Sequence, residues 1–402
     1  MTTTNESLTT PDWVDAARRE TPGVGDVVHL NNAGAALPPA PVLDTMIDHL
    51  RREAQIGGYE AADEAAERVD AVYTSLAALI SAHPSQIAVV ENATRAWDMA
   101  VYGYPFKPGD RVLTARAEYA SNAIALLHLA NKHGIEIVLI EDDEHGQISL
   151  DHLRDELAIG AAMMSLVHMP TNGGLINPAR EVGVLCREFD TFYVLDACQS
   201  VGQVPIDVDD LACDVLSTTG RKYLRGPRGT GFLYVSDKAM AVLEPPFLDL
   251  HAATWTASGT YTIRDDARRF ENWETNHAAK LALGAAADYA LGIGLKPISH
   301  RIGALASHLR TQLADIAGVT VHDKGAHKSG IITFTVDDHD PAAVQSALAQ
   351  ARINTNTTRP DYAWYDQPHR SLGTLNRASV HYYNTHEEIE QLITETNRLL
   401  RG

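Results

Sequence analysis

The chain has 402 residues, 45% hydrophobic and 21% charged, the make-up of a globular protein long enough for a large core and two domains. Its 52 acidic against 33 basic residues give a formal charge of −19, which argues against generic binding of nucleic acid or of an anionic membrane. The three cysteines, Cys186, Cys198 and Cys213, form no CxxC pair, no basic-then-apolar leader opens the sequence, and no apolar run reaches the ~18 residues of a membrane span, so a cytoplasmic chain without disulfides is expected.

In chain order, residues 1–28 read as a polar tail and a short helix. "VVHLNNAGAALPPAPV" (27–42) starts like a strand, turns on small residues and enters a helix through prolines. "AADEAAERVDAVYTSLAALI" (61–80) carries the helical period. Seven apolar runs follow: "QIAVVENA" (86–93), entering a helix at Thr94, then "RVLTAR" (111–116), "EIVLIED" (136–142), "AMMSLVHM" (162–169), "FYVLDA" (192–197), "DVLSTT" (214–219) and "GFLYVS" (231–236). Helical segments such as "SNAIALLHLANKH" and "NPAREVGVLCREF" separate most of them. Continuous rather than alternating apolar strands with helices between them predict an α/β fold, a mostly parallel sheet covered on both faces. No GxGxxG follows the first strand, which counts against a dinucleotide fold. Past residue 285, helices alternate with the strand-like "GVTVHD", "SGIITFTVDD" and "ASVHYYN", predicting a second, α+β unit.

Ligands of such sheets bind at the carboxyl ends of the strands. Asp196 stands where one apolar run stops, and Lys222 follows another after a short turn, with Arg221 beside it. Thr94 opens a helix whose free N–H groups suit a phosphate. An amine, a carboxylate and a phosphate site are what pyridoxal phosphate requires. By spacing alone, a helix-capping aspartate and a surface lysine on a turn fit the same residues.

The ordered stretches "HLNNAGAAL", "ENATRAWDMA", "EYASN", "HMPTNGG", "DACQSVG", "TTGRKYLRGPRGTG", "RFENWETN" and "NRASVHYYNTHEEIEQL" resemble the class V aminotransferase family, within the fold type I pyridoxal-phosphate enzymes. The likeness runs from about residue 27 onward and is strongest to the branch of cysteine desulfurases, selenocysteine lyases and related C–S lyases. It implies a seven-stranded, mostly parallel sheet in a large domain (30–284) and a smaller α+β domain (1–29 with 285–402). It implies pyridoxal 5'-phosphate as cofactor, Lys222 as the Schiff-base lysine, Asp196 facing the pyridine nitrogen, and Gln199 near the ring oxygen. Thr94, Thr219 and Arg221 fall at phosphate-side positions, Arg95 is a further cofactor-binding candidate, and Thr275 falls near a place where the partner subunit of a homodimer adds a phosphate contact. Arg377 matches the arginine that clamps the substrate carboxylate, with Asn32 and Tyr362 as further substrate-binding candidates. No metal site is implied.

Several positions depart from the family pattern. Arg221 stands where a histidine is common. The stacking histidine of an EHHAN-like stretch is replaced: "EYASN" puts Ala120 at that place and Tyr119 beside it. Either Thr171 or Asn172 takes the ring-hydroxyl position. Residues 354–377, where a desulfurase carries its sulfur-accepting cysteine, contain none. The expectation is therefore an enzyme that cleaves the C–S bond of a cysteine-derived amino acid by β-elimination without a persulfide relay. Aminotransferase, epimerase and desulfurase are the alternatives, and a cofactor-free binding protein the least favoured.

Overall fold

The computed structural model describes residues 11–401; the first ten residues of the expected polar tail lie outside them. A seven-stranded sheet organises the molecule. Its spatial order is Ile87–Val90, Gly231–Val235, Val215–Thr219, Phe192–Asp196, Met163–Val167, Arg111–Ala115 and Glu136–Ile140. Only Gly231–Val235 runs against its neighbours; every other pair is parallel. All seven expected runs are strands, and the three central ones are buried along their whole length. Helices on both sides make two apolar layers, one holding Leu195, Leu216 and Leu283, the other Trp97, Val194 and Phe270. The alternation of Val194 and Leu195 between those layers follows from the two-residue period of a strand.

A second sheet of four antiparallel strands lies later in the chain, in the order Val319–Val321, Ile331–Val336, Leu375–Ser379, Asn356–Thr358. The strand expected at "ASVHYYN" ends at Ser379 rather than running through it, and lies earlier in sequence. Tyr382 and Tyr383 instead form a buried aromatic turn around His381, with ring centroids 4.4 and 5.0 Å from the imidazole. The helix expected over 61–80 is two helices, Gly58–Glu64 and Ala66–Leu79, meeting at Ala65. An exposed hairpin, Ala253–Ala257 with Thr260–Ile263, was not foreseen. Helix His277–Ile293 continues through residue 284 without a break.

The early segment crosses to the second sheet. Val28 and His29 pair with Ile353 and Asn354, and Asn31 bridges to Ser379. This brings residues 31–36 and Arg377 to the carboxyl ends of the large sheet's strands. Among the described residues no single helix is long and apolar enough to cross a membrane.

Candidate active site

A cavity of about 420 Å³ opens at the carboxyl ends of the central strands. Asp196 and Thr219 are the last residues of their strands, and both line it. Lys222 lines it too, placed by the turn that follows Thr219, which is closed by the Arg225 N–H on the Lys222 carbonyl at 2.9 Å. Gly202 packs directly against this turn. Its φ is +83°, and a Cβ there would stand 2.6 Å from the Tyr223 carbonyl, so any side chain would push the lysine turn away.

The Lys222 amine is 7% exposed, and burial holds its pKa below the ordinary lysine range. The Asp196 carboxylate accepts from the Cys198 N–H at 2.9 Å and from the Asn122 amide at 3.1 Å. Gln199 donates to the Ala33 carbonyl at 3.1 Å and to the Thr171 hydroxyl at 3.0 Å. Its amide oxygen is buried without a partner. The Thr171 hydroxyl also accepts from Arg377 at 2.8 Å, so its single proton remains free to donate. Arg377, 6% exposed, has no carboxylate partner; it reaches the Thr171 carbonyl at 3.1 Å and the Asn31 side chain at 3.2 Å, and its Nε is unpartnered. Burial pushes its pKa down to about 10.

At the other end of the cavity, helix Ala93–Val101 points its N-terminus inward, so that Asn92, Ala93 and Thr94 line the wall. The Asn92 side chain caps the Arg95 N–H at 2.9 Å, and the Ala93 and Thr94 N–H groups of the first turn are left for an anion.

Of the expected residues, Thr94, Tyr119, Thr171, Asn172, Asp196, Gln199, Thr219, Arg221 and Lys222 are brought together around this one cavity. Five others lie elsewhere or are otherwise engaged. The Arg95 guanidinium lies over the Phe247 ring at 5.3 Å, and Arg95 does not line the cavity. Asn32 is fully buried and its amide is consumed: it donates to the His29 and Ser379 carbonyls at 3.1 and 2.7 Å and accepts from the Tyr383 hydroxyl. It is a structural link, and its neighbour Asn31 is the one that reaches Arg377. The Tyr362 ring is half exposed beneath the Arg359 guanidinium, 4.6 Å away, and only its backbone carbonyl turns inward, to the Asn172 amide at 3.2 Å. Thr275 lines a separate cavity of about 880 Å³, with Tyr59, Trp273 and Lys280. Arg377 stands behind Thr171 rather than on the cavity wall itself.

The Thr219 hydroxyl donates to the Thr230 carbonyl at 3.2 Å, so it must rotate to serve a phosphate. Arg221 donates across the cleft to the Gly34 carbonyl. Asn172 accepts from Thr358 at 2.6 Å and, with its bond to Tyr362, pins the segment 358–362 to the site. The Thr171 hydroxyl keeps its proton free, whereas Asn172 has one N–H and one lone pair already engaged with the segment 358–362. Sequence reasoning missed Asn92, Asn31, Asn122 and Glu118. Asn92 had a signal, being a helix-capping residue type immediately before the helix.

A buried amine, a strand-end carboxylate, an unpartnered amide oxygen and a free helix N-terminus on a mostly parallel sheet define a pyridoxal-phosphate site of fold type I, and the donor set fits that cofactor. Residues 28–392 match the family model for aminotransferase class-V, and the chain belongs to this family, whose cofactor is pyridoxal 5'-phosphate. A probable cysteine desulfurase of Methanothermobacter thermautotrophicus is 27% identical over 391 residues, covering 96% of this chain and 97% of its own. The apo structure of a cysteine desulfurase from Thermococcus onnurineus NA1 superimposes with a TM-score of 0.91 at 24% identity, covering 98% of this chain and 99% of its own. The cystine C–S lyase C-DES, solved with its reaction product cysteine persulfide, gives 0.85 at 22% identity over 94% of this chain and 99% of its own.

Proposed function

We propose that the protein cleaves the C–S bond of a cysteine-derived amino acid by β-elimination, without a persulfide-relay cysteine. The observation that carries this reading is the distribution of thiols. Residues 354–377, which lead up to Arg377, contain no cysteine. Cys186 and Cys213 are buried in the core, and burial raises both thiols above the ordinary range. Cys198 borders the cavity, but burial and the adjacent Asp196 charge raise its thiol well above the ordinary range, which disfavours the thiolate a nucleophile needs. The cystine C–S lyase among the structural neighbours is consistent with such chemistry on this fold.

The chain's own residues divide the work as follows. The N-terminus of helix Ala93–Val101, with Thr94 and Arg221, would hold the phosphate, and Lys222 would hold the cofactor's aldehyde carbon. Asp196 would serve the ring nitrogen, Gln199 and Thr171 the ring oxygen, and Tyr119 the ring face. Pyridoxal phosphate, once bound, supplies the sink for the electron pair released at the substrate Cα. Arg377, already committed to Thr171 and Asn31, offers its remaining donors to the substrate carboxylate. Once the substrate's amino group displaces Lys222 from the cofactor, the freed amine, whose pKa burial lowers, would take the Cα proton. The sulfur leaves with its bonding pair, and water completes the release of pyruvate and ammonia.

The same reading places residues 30–284 in a cofactor domain, and 1–29 with 285–402 in a smaller one, with helix His277–Ile293 spanning the boundary. It makes the protein a cytoplasmic homodimer in which Thr275 serves the partner's site. A second reading, cysteine desulfurase, is favoured by the names of the relatives.

A substrate panel tests the choice. L-cysteine, L-cystine, cysteine S-conjugates, their sulfoxides and simple amino donors are incubated with holoenzyme. Pyruvate and ammonia are expected in equal amounts with no keto acid added, and a variant lacking all three cysteines should keep the activity. Conversion of an added keto acid to an amino acid would show an aminotransferase. Loss of chirality without pyruvate would show an epimerase. Alanine with a persulfide trapped on Cys198 would establish the desulfurase.

A further inference from the structure

Glu118 is a buried carboxyl beside the cofactor cavity to which the mechanism gives no work. It is 4% exposed and borders the cavity three residues past the end of strand Arg111–Ala115. Four donors converge on it. Thr114 and Ser165 are register partners on adjacent parallel strands, so their hydroxyls share a face, and they donate to Oε2 at 2.6 and 3.1 Å. The Tyr119 N–H and the Asn122 amide donate to Oε1 at 2.7 and 3.0 Å. The same Asn122 nitrogen donates to Asp196 at 3.1 Å, so one amide bridges two carboxyl groups.

The two fixed N–H donors on Oε1 suit a carboxylate oxygen, and the two hydroxyls on Oε2 donate to the ionised form while remaining able to turn. Burial and the Asp196 charge act the other way and push the Glu118 pKa up to about 7. Lys324 and Arg370 share a small side cavity with Glu118 but are already paired with Asp142 at 3.1 Å and Asp366 at 3.3 Å. Lys222 and Arg221 line the cofactor cavity together with Glu118 and Asp196, and a cationic group entering beside Asp196 would add to the positive charge that steadies the two carboxylates.

We propose that Glu118 is a positioning residue for Asp196: its carboxylate, tied to Asp196 through Asn122, sets a second negative charge behind the cofactor's ring nitrogen and helps to keep that nitrogen protonated. This rests on the reading that Asp196 faces the ring nitrogen. A role confined to shaping the turn would need only the hydrogen bonds, and glutamine can make those. Its oxygen would accept from Tyr119 and Asn122, while its NH2 group would donate to the Thr114 and Ser165 hydroxyls, which can turn to accept.

The test compares pyridoxal phosphate with its 1-deaza analogue, in which carbon replaces the ring nitrogen. Dissociation constants are measured in the Lys222→Ala background, where binding is reversible and no turnover occurs. Glu118→Gln should weaken pyridoxal phosphate about tenfold and leave the analogue unchanged, since a one-unit change in a coupled proton equilibrium is worth that factor. Ser165→Ala removes one donor from the charged form and should give about a twofold loss for pyridoxal phosphate alone. It keeps the idea testable should Glu118→Gln not fold. Asp196→Asn is the reference and should discriminate most strongly. If Asp196→Asn discriminates while both Glu118→Gln and Ser165→Ala affect the two ligands equally, Glu118 is structural and the inference is overturned. If Asp196→Asn itself does not discriminate, the placement of the ring nitrogen is wrong, and the inference goes with it.

Discussion

Glu118 also has a consequence that needs no cofactor. Its unfolded pKa is 4.5 and burial raises the folded value to about 7, so between these pH values the folded chain binds more protons than the unfolded one. Stability therefore falls as pH rises through that window, and the full cost is present above pH 7. The cofactor-free Glu118→Gln protein should melt a few degrees above wild type at pH 8 and level with it at pH 4.5, as read by calorimetry. Equal melting at pH 8 would contradict this. Single residues differed in how far the sequence exposed them. Asp196 and Lys222 were legible because each carries reactive chemistry at the end of a strand. Asn32 was chosen over Asn31 because adjacent positions look alike in sequence, and only the fold shows which amide is consumed. Glu118 gained its meaning from Ser165 and Asp196, which are remote in sequence and invisible to any local pattern.

At the scale of elements, the segment 358–362 leaves the strand Asn356–Thr358 along the site's wall. Asn172 ties it to the cofactor side, through Thr358 at 2.6 Å and the Tyr362 carbonyl at 3.2 Å. Asn172→Ala should raise KM about three- to tenfold with little change in kcat, because loosening the wall removes binding shared by substrate and transition state. Faster proteolysis near Trp364, which is 69% exposed, should accompany it. An unchanged KM would show that the tether is idle. The strands of the large sheet were legible because burial on both faces makes them continuously apolar. The hairpin Ala253–Ala257/Thr260–Ile263 escaped because nearly all of it is exposed and carries no such run. The last strand was misplaced by a few residues because "VHYY" looks like a strand, yet it folds as a turn packed around His381.

At the scale of the whole molecule, Thr275 sits in the 880 Å³ cavity rather than in the cofactor cavity. Around it stand Tyr59, 74% exposed, and Trp273, 55% exposed, large apolar groups on one face. A homodimer covering that face should sediment at twice the chain mass. Trp273→Asp should shift the protein toward monomer and weaken cofactor retention, and a fully active monomer would overturn this assembly.

The strand that bears Arg377 joins residues far apart along the chain: the Ser379 hydroxyl meets the Ala33 N–H 346 positions away, at 2.9 Å. Synthesis therefore divides the enzyme's life in two. While the ribosome is still short of Leu375, the nascent chain already contains Lys222, Asp196 and helix Ala93–Val101, but it lacks Arg377. The strand Leu375–Ser379 lies between Ile331–Val336 and Asn356–Thr358 and is bridged by Asn31 of the early segment, so a chain cut short before Leu375 lacks the element on which both its beginning and its end converge.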